Sequence, residues 1–187
     1  MKIKHLGGAP WKLHDLTYRL SPVHRASVLN FLMRILPTNY LADRFLRPML
    51  ARLFGAKIGP FTGIRKPVFI SQPRHVTFGR FVIMTPELFI DSPANVTIGD
   101  FVSMGPRITL ITGSHETGPH TRRCGEMTSE PITIESGCWI GAGVIIGPGV
   151  TIGAGSVVAA GAVVLRSMPA DSLIAGNPAR VIQKLEP

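Results

Sequence analysis

The chain has 187 residues, 45% of them hydrophobic, with two cysteines, six histidines and a formal net charge of +9. That length suits one soluble domain with a small appendage, and Cys124 and Cys138 offer neither a disulfide framework nor a paired metal spacing. The charge is uneven: residues 1–60 carry ten Lys or Arg against Asp15 and Asp43, while the remainder carries ten against nine, yet no zinc-finger, helix-turn-helix or aromatic–basic pattern accompanies it, which argues against nucleic acid.

In chain order, residues 1–20 read as an irregular arm containing Pro10 and Trp11, with no signal-peptide pattern. The apolar stretch 28–36 is too short for a membrane span and contains Arg34; cytoplasmic residence is the expectation. Over 22–36, Val28, Leu29, Leu32, Ile35 and Leu36 follow helical spacing, closed by Pro37. Thr38 or Asn39 is expected to cap a second helix. Leu41, Phe45, Leu46, Met49, Leu50 and Leu53 share one of its faces, with Arg44, Arg47 and Arg52 on the other, a possible kink at Pro48 and a stop at Gly55. Residues 1–57 are therefore expected to be an arm and a helical cap over the first coil of the repeat that begins at Ile58. The other reading is a basic amphipathic face lying on the inner surface of an anionic membrane.

From Ile58 an apolar residue returns every six positions. The column runs Ile58, Ile64, Ile70, then Phe78, Met84, Ile90, then Ile98, Met104, Leu110, and later Ile134, Ile140, Ile146, Ile152, Val158 and Val164. A period of six is that of a hexapeptide β-helix: three short strands per coil around a prism. The steps between the first trios are eight, at 71–77 and 91–97, each with a proline in its middle. The step after Leu110 is twenty-four. All three breaks therefore leave one corner of the prism. A second column (Val102, Ile108, Cys138, Val144, Val150, Ser156, Ala162) is small or β-branched, as a narrow core requires, so Cys138 reads as filler rather than nucleophile. The β-helix is expected over 58–174, with an inserted loop at 111–133 and a tail at 175–187.

The insertion gathers His115, Glu116, His120, Arg122, Arg123, Glu126 and Glu130 on an otherwise apolar scaffold. Long loops in compact repeats are commonly functional.

Over 96–182 the chain resembles the hexapeptide-repeat acetyltransferases, in the branch of galactoside, maltose, nodulation-sugar and polysaccharide O-acetyltransferases. The strings that carry the likeness are VTIGD, TGSH, GEM, PITI, CWIGAG, IIGPGVTIGAGSVVAAGAVV and IAGNPARVI. The resemblance implies an all-β, left-handed parallel β-helix with an N-terminal helical segment and a protruding loop. It also implies a homotrimer with sites at its interfaces, acetyl-CoA as co-substrate, a sugar or glycan acceptor and no metal. His115 matches the family's general base, and the Ala142 N–H its oxyanion donor. Trp139, Gly141, Ala142, Ala159, Ala160, Arg166 and Arg180 match positions along the coenzyme. On the acceptor side the match is poorer: Thr85 and Glu87 stand where an asparagine is usual, Asp91 is a possible contact, and Met127 matches a residue beside the acceptor. The departure undercuts a galactoside in particular. The basic N-terminal segment favours a phosphorylated or membrane-borne glycan.

Two rivals use the same prism. A zinc hydratase of carbonic-anhydrase type would draw on His115, His120 and His75, but it needs three placed ligands. A non-catalytic binding module would have no use for His115.

Overall fold

The computed structural model describes residues 22–187, so the expected arm at 1–20 lies outside the described residues. Three parallel sheets wrap the prism. The first face holds Lys57–Ile58, Val76–Phe78, Val96–Ile98, Ile132–Ile134 and Thr151–Ile152. The second holds Gly63–Ile64, Ile83–Met84, Ser103–Met104, Trp139–Ile140, Val157–Val158 and Ser172–Gly176. The third holds Val68–Ile70, Leu88–Asp91, Thr109–Ile111, Ile145–Ile146 and Val163–Val164. This is the parallel β-helix that the six-residue period predicts, with the left-handed coil that the family resemblance implies.

Every member of the six-residue column is buried, as is every member of the second column. Like stacks on like: Ile58 pairs with Phe78, Phe78 with Ile98, Ile98 with Ile134, and Ile134 with Ile152. A side chain at each position thus meets its counterpart one coil away, and burial of this axial column holds the coils together. The register does not stop at Met168. That residue bridges to Ile152, Ile174 is fully buried, and the expected tail turns back as Ala179–Lys184, antiparallel to Ser172–Gly176.

The corner between the first and second faces turns through Phe61, Phe81 and Phe101, all left-handed (φ 59°, 55° and 57°). Bulky residues rarely adopt that conformation. Here their rings stack at 4.8 and 5.2 Å, and Arg44 and Arg80 lie over Phe61 and Phe101. Gly137 and Gly155 take the equivalent turns later.

At the corner between the third and first faces, a hydroxyl column stitches the breaks. Ser71 Oγ accepts from the Ser92 N–H (2.8 Å), Ser92 Oγ from the Gln72 N–H (3.2 Å), and Thr112 Oγ1 from the Ala94 N–H (3.0 Å). The corner widens without leaving amides orphaned.

The N-terminal helices cover the first coil, α1 (Pro22–Ile35) against its third face and α2 (Arg47–Leu53) against its first two. A π-helical turn, Ala42–Leu46, leads into α2, and Asn39 Oδ1 caps it through the Ala42 N–H. The second helical segment turns its arginine side, and not its apolar side, toward the prism. Ala42, Arg47, Pro48 and Ala51 are buried, whereas Leu41, Phe45, Leu46, Met49 and Leu53 face outward. The physical reason is the end of the solenoid, whose first coil presents carbonyls with no coil beyond them. Arg52 donates to the Ile58 and Gly59 carbonyls and Arg44 to that of Phe61. Arg47, fully buried, bridges Asp43 and the carbonyls of Met33, Leu36 and Pro37. A buried guanidinium is tolerated only when satisfied in this way. The arginine face turns inward because the carbonyls are there.

Candidate active site

The 111–133 insertion folds as a ribbon, Gly113–Thr117 antiparallel to Cys124–Ser129, closed at its base by the Glu130 N–H on the Thr112 carbonyl (2.9 Å). His115 stands directly opposite Met127, which puts both side chains on one side of the ribbon. His115 Nδ1 lies 3.1 Å from the Gly125 carbonyl. A carbonyl can only accept, so Nδ1 carries the proton, and in the neutral ring Nε2 keeps its lone pair. The imidazole is solvent-exposed, with that lone pair available to a hydroxyl. Gly125 is the orienting group that the sequence reading missed; Glu116 makes no hydrogen bond to the ring.

Beside the ribbon lies a cavity of about 280 Å³. Met127 of the ribbon lines it, with Asp91 and Phe69 of the third face, and Ala26, Ser27 and Asn30 of α1 close it. Gly113, two residues before His115, borders the same space: a Cβ there would lie 3.2 Å from Pro93 Cγ, 3.5 Å from Asp91 Oδ2 and 3.8 Å from Met127 Cε. A larger hollow of about 810 Å³ shares Asn30 and Phe69 and extends to Phe31, Arg34 and Lys66. None of the α1 residues carried a sequence signal, because only the docking of that helix brings them here.

The second group of candidate residues occupies a different corner, between the second and third faces. Strand register aligns Pro86, Pro106, Ala142 and Ala160 in one column there. The first two have no N–H, and the Ala142 and Ala160 N–H groups donate to nothing among the described residues. The backbone is tightly layered: a Cβ on Gly141 would come within 2.5 Å of the Ala160 nitrogen, and one on Gly105 within 2.7 Å of the Ala142 nitrogen. Gly141 is therefore small for steric reasons of the corner itself. Trp139 projects outward from the adjoining second face, and Arg180 pairs with Ala175 on that face's outermost strand. Arg166 follows the third face and stands, exposed, on the same edge as the His115 ribbon.

The four acceptor-side candidates divide accordingly. Asp91 and Met127 line the cavity beside the ribbon. Thr85 and Glu87 flank Pro86 on the Ala142 corner, where Thr85 Oγ1 donates to the Met104 carbonyl and Glu87 turns left-handed (φ 68°). Within one chain His115 and Ala142 thus lie on two different edges of the prism.

His75, considered as a metal ligand, is bonded through Nδ1 to the Ser92 carbonyl (2.8 Å), and His120 lies in the turn at the ribbon's tip. Among the described residues no three His, Cys, Asp or Glu side chains are grouped to hold a metal ion.

Comparison with known proteins adds independent findings. Residues 131–166 match the model of the bacterial transferase hexapeptide (six repeats). WcaF of Escherichia coli K12, assigned provisionally as a colanic acid biosynthesis acetyltransferase, is 38% identical over 138 residues, 74% of this chain and 74% of its own. Among solved structures, a galactoside acetyltransferase in complex with coenzyme A superposes with a TM-score of 0.79 at 33% identity, over 88% of this chain and 81% of that one. A hexapeptide-repeat acetyltransferase of Vibrio cholerae, complexed with acetyl coenzyme A, gives 0.76 at 32%, over 89% and 88%.

Proposed function

The chain belongs to the hexapeptide-repeat acetyltransferases, and from that premise we propose that it moves an acetyl group from acetyl-CoA to a hydroxyl of a sugar or glycan intermediate. The observation that carries the chemistry is the His115 ring, whose Nδ1 proton is committed to the Gly125 carbonyl. As the acceptor oxygen attacks the thioester carbonyl, its proton passes to Nε2. The resulting oxyanion needs a fixed donor, and the unengaged Ala142 N–H supplies it. Collapse breaks the carbon–sulfur bond, and the coenzyme thiolate takes the proton back from the imidazolium. Ala160 offers a second free N–H one coil along, for the amides of the pantetheine arm, beside Gly141, Ala159 and Trp139. Arg166 and Arg180 suit the coenzyme phosphates.

His115 and Ala142 stand on different edges, so the reading that unites them is a site shared between two copies of the chain. A heterologous contact of one edge with the other closes as a ring, and a threefold prism closes it as a trimer. In that arrangement Thr85 and Glu87 of one copy rejoin Asp91 and Met127 of another. The adjoining hollow is lined by Arg34 and by Lys66, whose Nζ donates to the Arg34 and Leu36 carbonyls, and the exposed Arg34 guanidinium favours an acceptor bearing phosphate or carboxylate.

The test is acetyl-CoA turnover against a panel of soluble glycans and nucleotide-sugars, with products read by mass. His115→Ala should lower turnover by about 10²–10⁴-fold while leaving assembly unchanged; turnover at the native level would rule out His115 as the base. Trimers of His115→Ala and of Ala142→Pro, each inactive alone, should regain about a quarter of native activity when dissociated and reassembled together, as expected for a site shared between neighbours in a closed ring. No recovery would mean that one chain holds the whole site.

A further inference from the structure

We propose that the outward face of the N-terminal helical cap is a docking surface for an anionic membrane. Leu41, Phe45, Met49 and Leu53 follow one another at four-residue intervals and so form one stripe along the second helical segment. They are 64%, 56%, 48% and 73% exposed. On α1, Phe31 (63%) and Ile35 (59%) are likewise turned out. Large apolar side chains in such a contiguous row mark an interaction surface. The prism does not cover them, because its first coil has taken the arginine side of the segment instead.

Charge selects the occupant. Arg44 and Arg52 turn toward the prism and Arg47 is buried against Asp43, the single carboxylate of residues 22–60; the exposed Arg34 and Lys57 and the half-buried Arg25 keep the cap positive toward solvent. A second copy of the same face would set like charges against each other. A bilayer rich in acidic headgroups answers both features: the stripe enters the acyl boundary while Arg25, Arg34 and Lys57 remain among the phosphates. Phe31 also lines the larger hollow of the acceptor cleft, so docking on this face would open the cleft toward the lipid surface. That consequence rests on the acetyl-transfer reading; the docking itself does not.

The experiment is flotation of the full chain with extruded vesicles, phosphatidylethanolamine–phosphatidylglycerol in one arm and phosphatidylcholine alone in the other. The native protein should float with the anionic vesicles, bind the neutral ones at least about tenfold less, and be released by high salt. Phe45→Ser/Met49→Ser/Leu53→Ser, checked for fold by circular dichroism, should lose about tenfold or more in anionic binding while keeping native turnover on a soluble acceptor. Equal flotation of the native and triple-substituted proteins overturns the proposal. So does native protein that stays in solution while the triple substitution lowers its assembled mass, which would make the stripe a contact between copies. Binding that appears only after deletion of residues 2–21 would assign the stripe to the chain's own arm and overturn it equally. Binding is read without acceptor, so a failure of the acetyl-transfer reading would leave these outcomes intact.

Discussion

The side-chain amide of Asn30 and the main chain of Ile70 exchange two hydrogen bonds, each 3.0 Å: Nδ2 donates to the Ile70 carbonyl, and the Ile70 N–H donates to Oδ1. Forty positions apart in sequence, they meet where the third face runs out of coils. Asn30 supplies what a neighbouring strand would have supplied, and so ends the sheet without an open edge.

Asn30→Ala leaves both Ile70 groups without a partner beneath α1. The expected loss is about 1–3 kcal/mol, seen as a lower midpoint in thermal unfolding, with far-ultraviolet circular dichroism unchanged below the transition. An unchanged midpoint would mean that water replaces the amide at no cost.

Ala142→Pro deletes one N–H and little else. Proline already occupies the same corner position at Pro86 and Pro106, so the backbone there accepts it. If the Ala142 N–H holds the oxyanion, kcat should fall by about 10²–10³-fold with the fold intact. Ala160→Pro should instead raise the KM for acetyl-CoA and largely spare kcat. Identical effects from the two substitutions would argue that neither amide faces the reacting carbonyl.

Gly113→Val places its Cβ against Pro93 and its branches toward Asp91 and Met127. The acceptor KM should rise steeply while that for acetyl-CoA stays near its native value, measured by varying each substrate in turn. A rise in both would locate the acceptor elsewhere.

The two cysteines should differ in reactivity. Burial, foremost, pushes the Cys138 thiol upward; the nearby Glu135 charge adds to this, against lowering by the Ser156 and Gly155 backbone. Its Sγ also donates to the Gly153 carbonyl at 3.2 Å. Cys124 is exposed. Since the thiolate is the nucleophile, a disulfide reagent should titrate one thiol per folded chain and two in denaturant, and Cys124→Ser should abolish the folded-state reaction. Two reactive thiols in the folded protein would contradict the burial of Cys138.

The six-residue spacing from Ile58 to Val164 specified the prism, because a column of β-branched and aliphatic residues at that period can be buried in no other way. The same count put the 71–77, 91–97 and 111–133 breaks on one corner, since residues inserted after a fixed face must emerge where that face ends. His115 was legible as chemistry from its segment. Its orientation was not, because Gly125 meets it only when the ribbon closes. Sequence periodicity grouped the apolar residues of the second helical segment on one face but left open whether that face turned toward the prism or away from it. The direction of that face was decided by carbonyls on the first coil, which take Arg44 and Arg52, and by those at the end of α1, which take Arg47. The cavity beside the ribbon lay equally beyond the sequence, since Asn30 and Ser27 join Asp91 and Met127 around it only through the docking of α1. Spacing alone determined the scaffold, a repeat in which each residue meets its own counterpart. Which side chains share a cleft, and how the His115 ring is turned, were decided by tertiary structure, because those contacts join segments that no period relates.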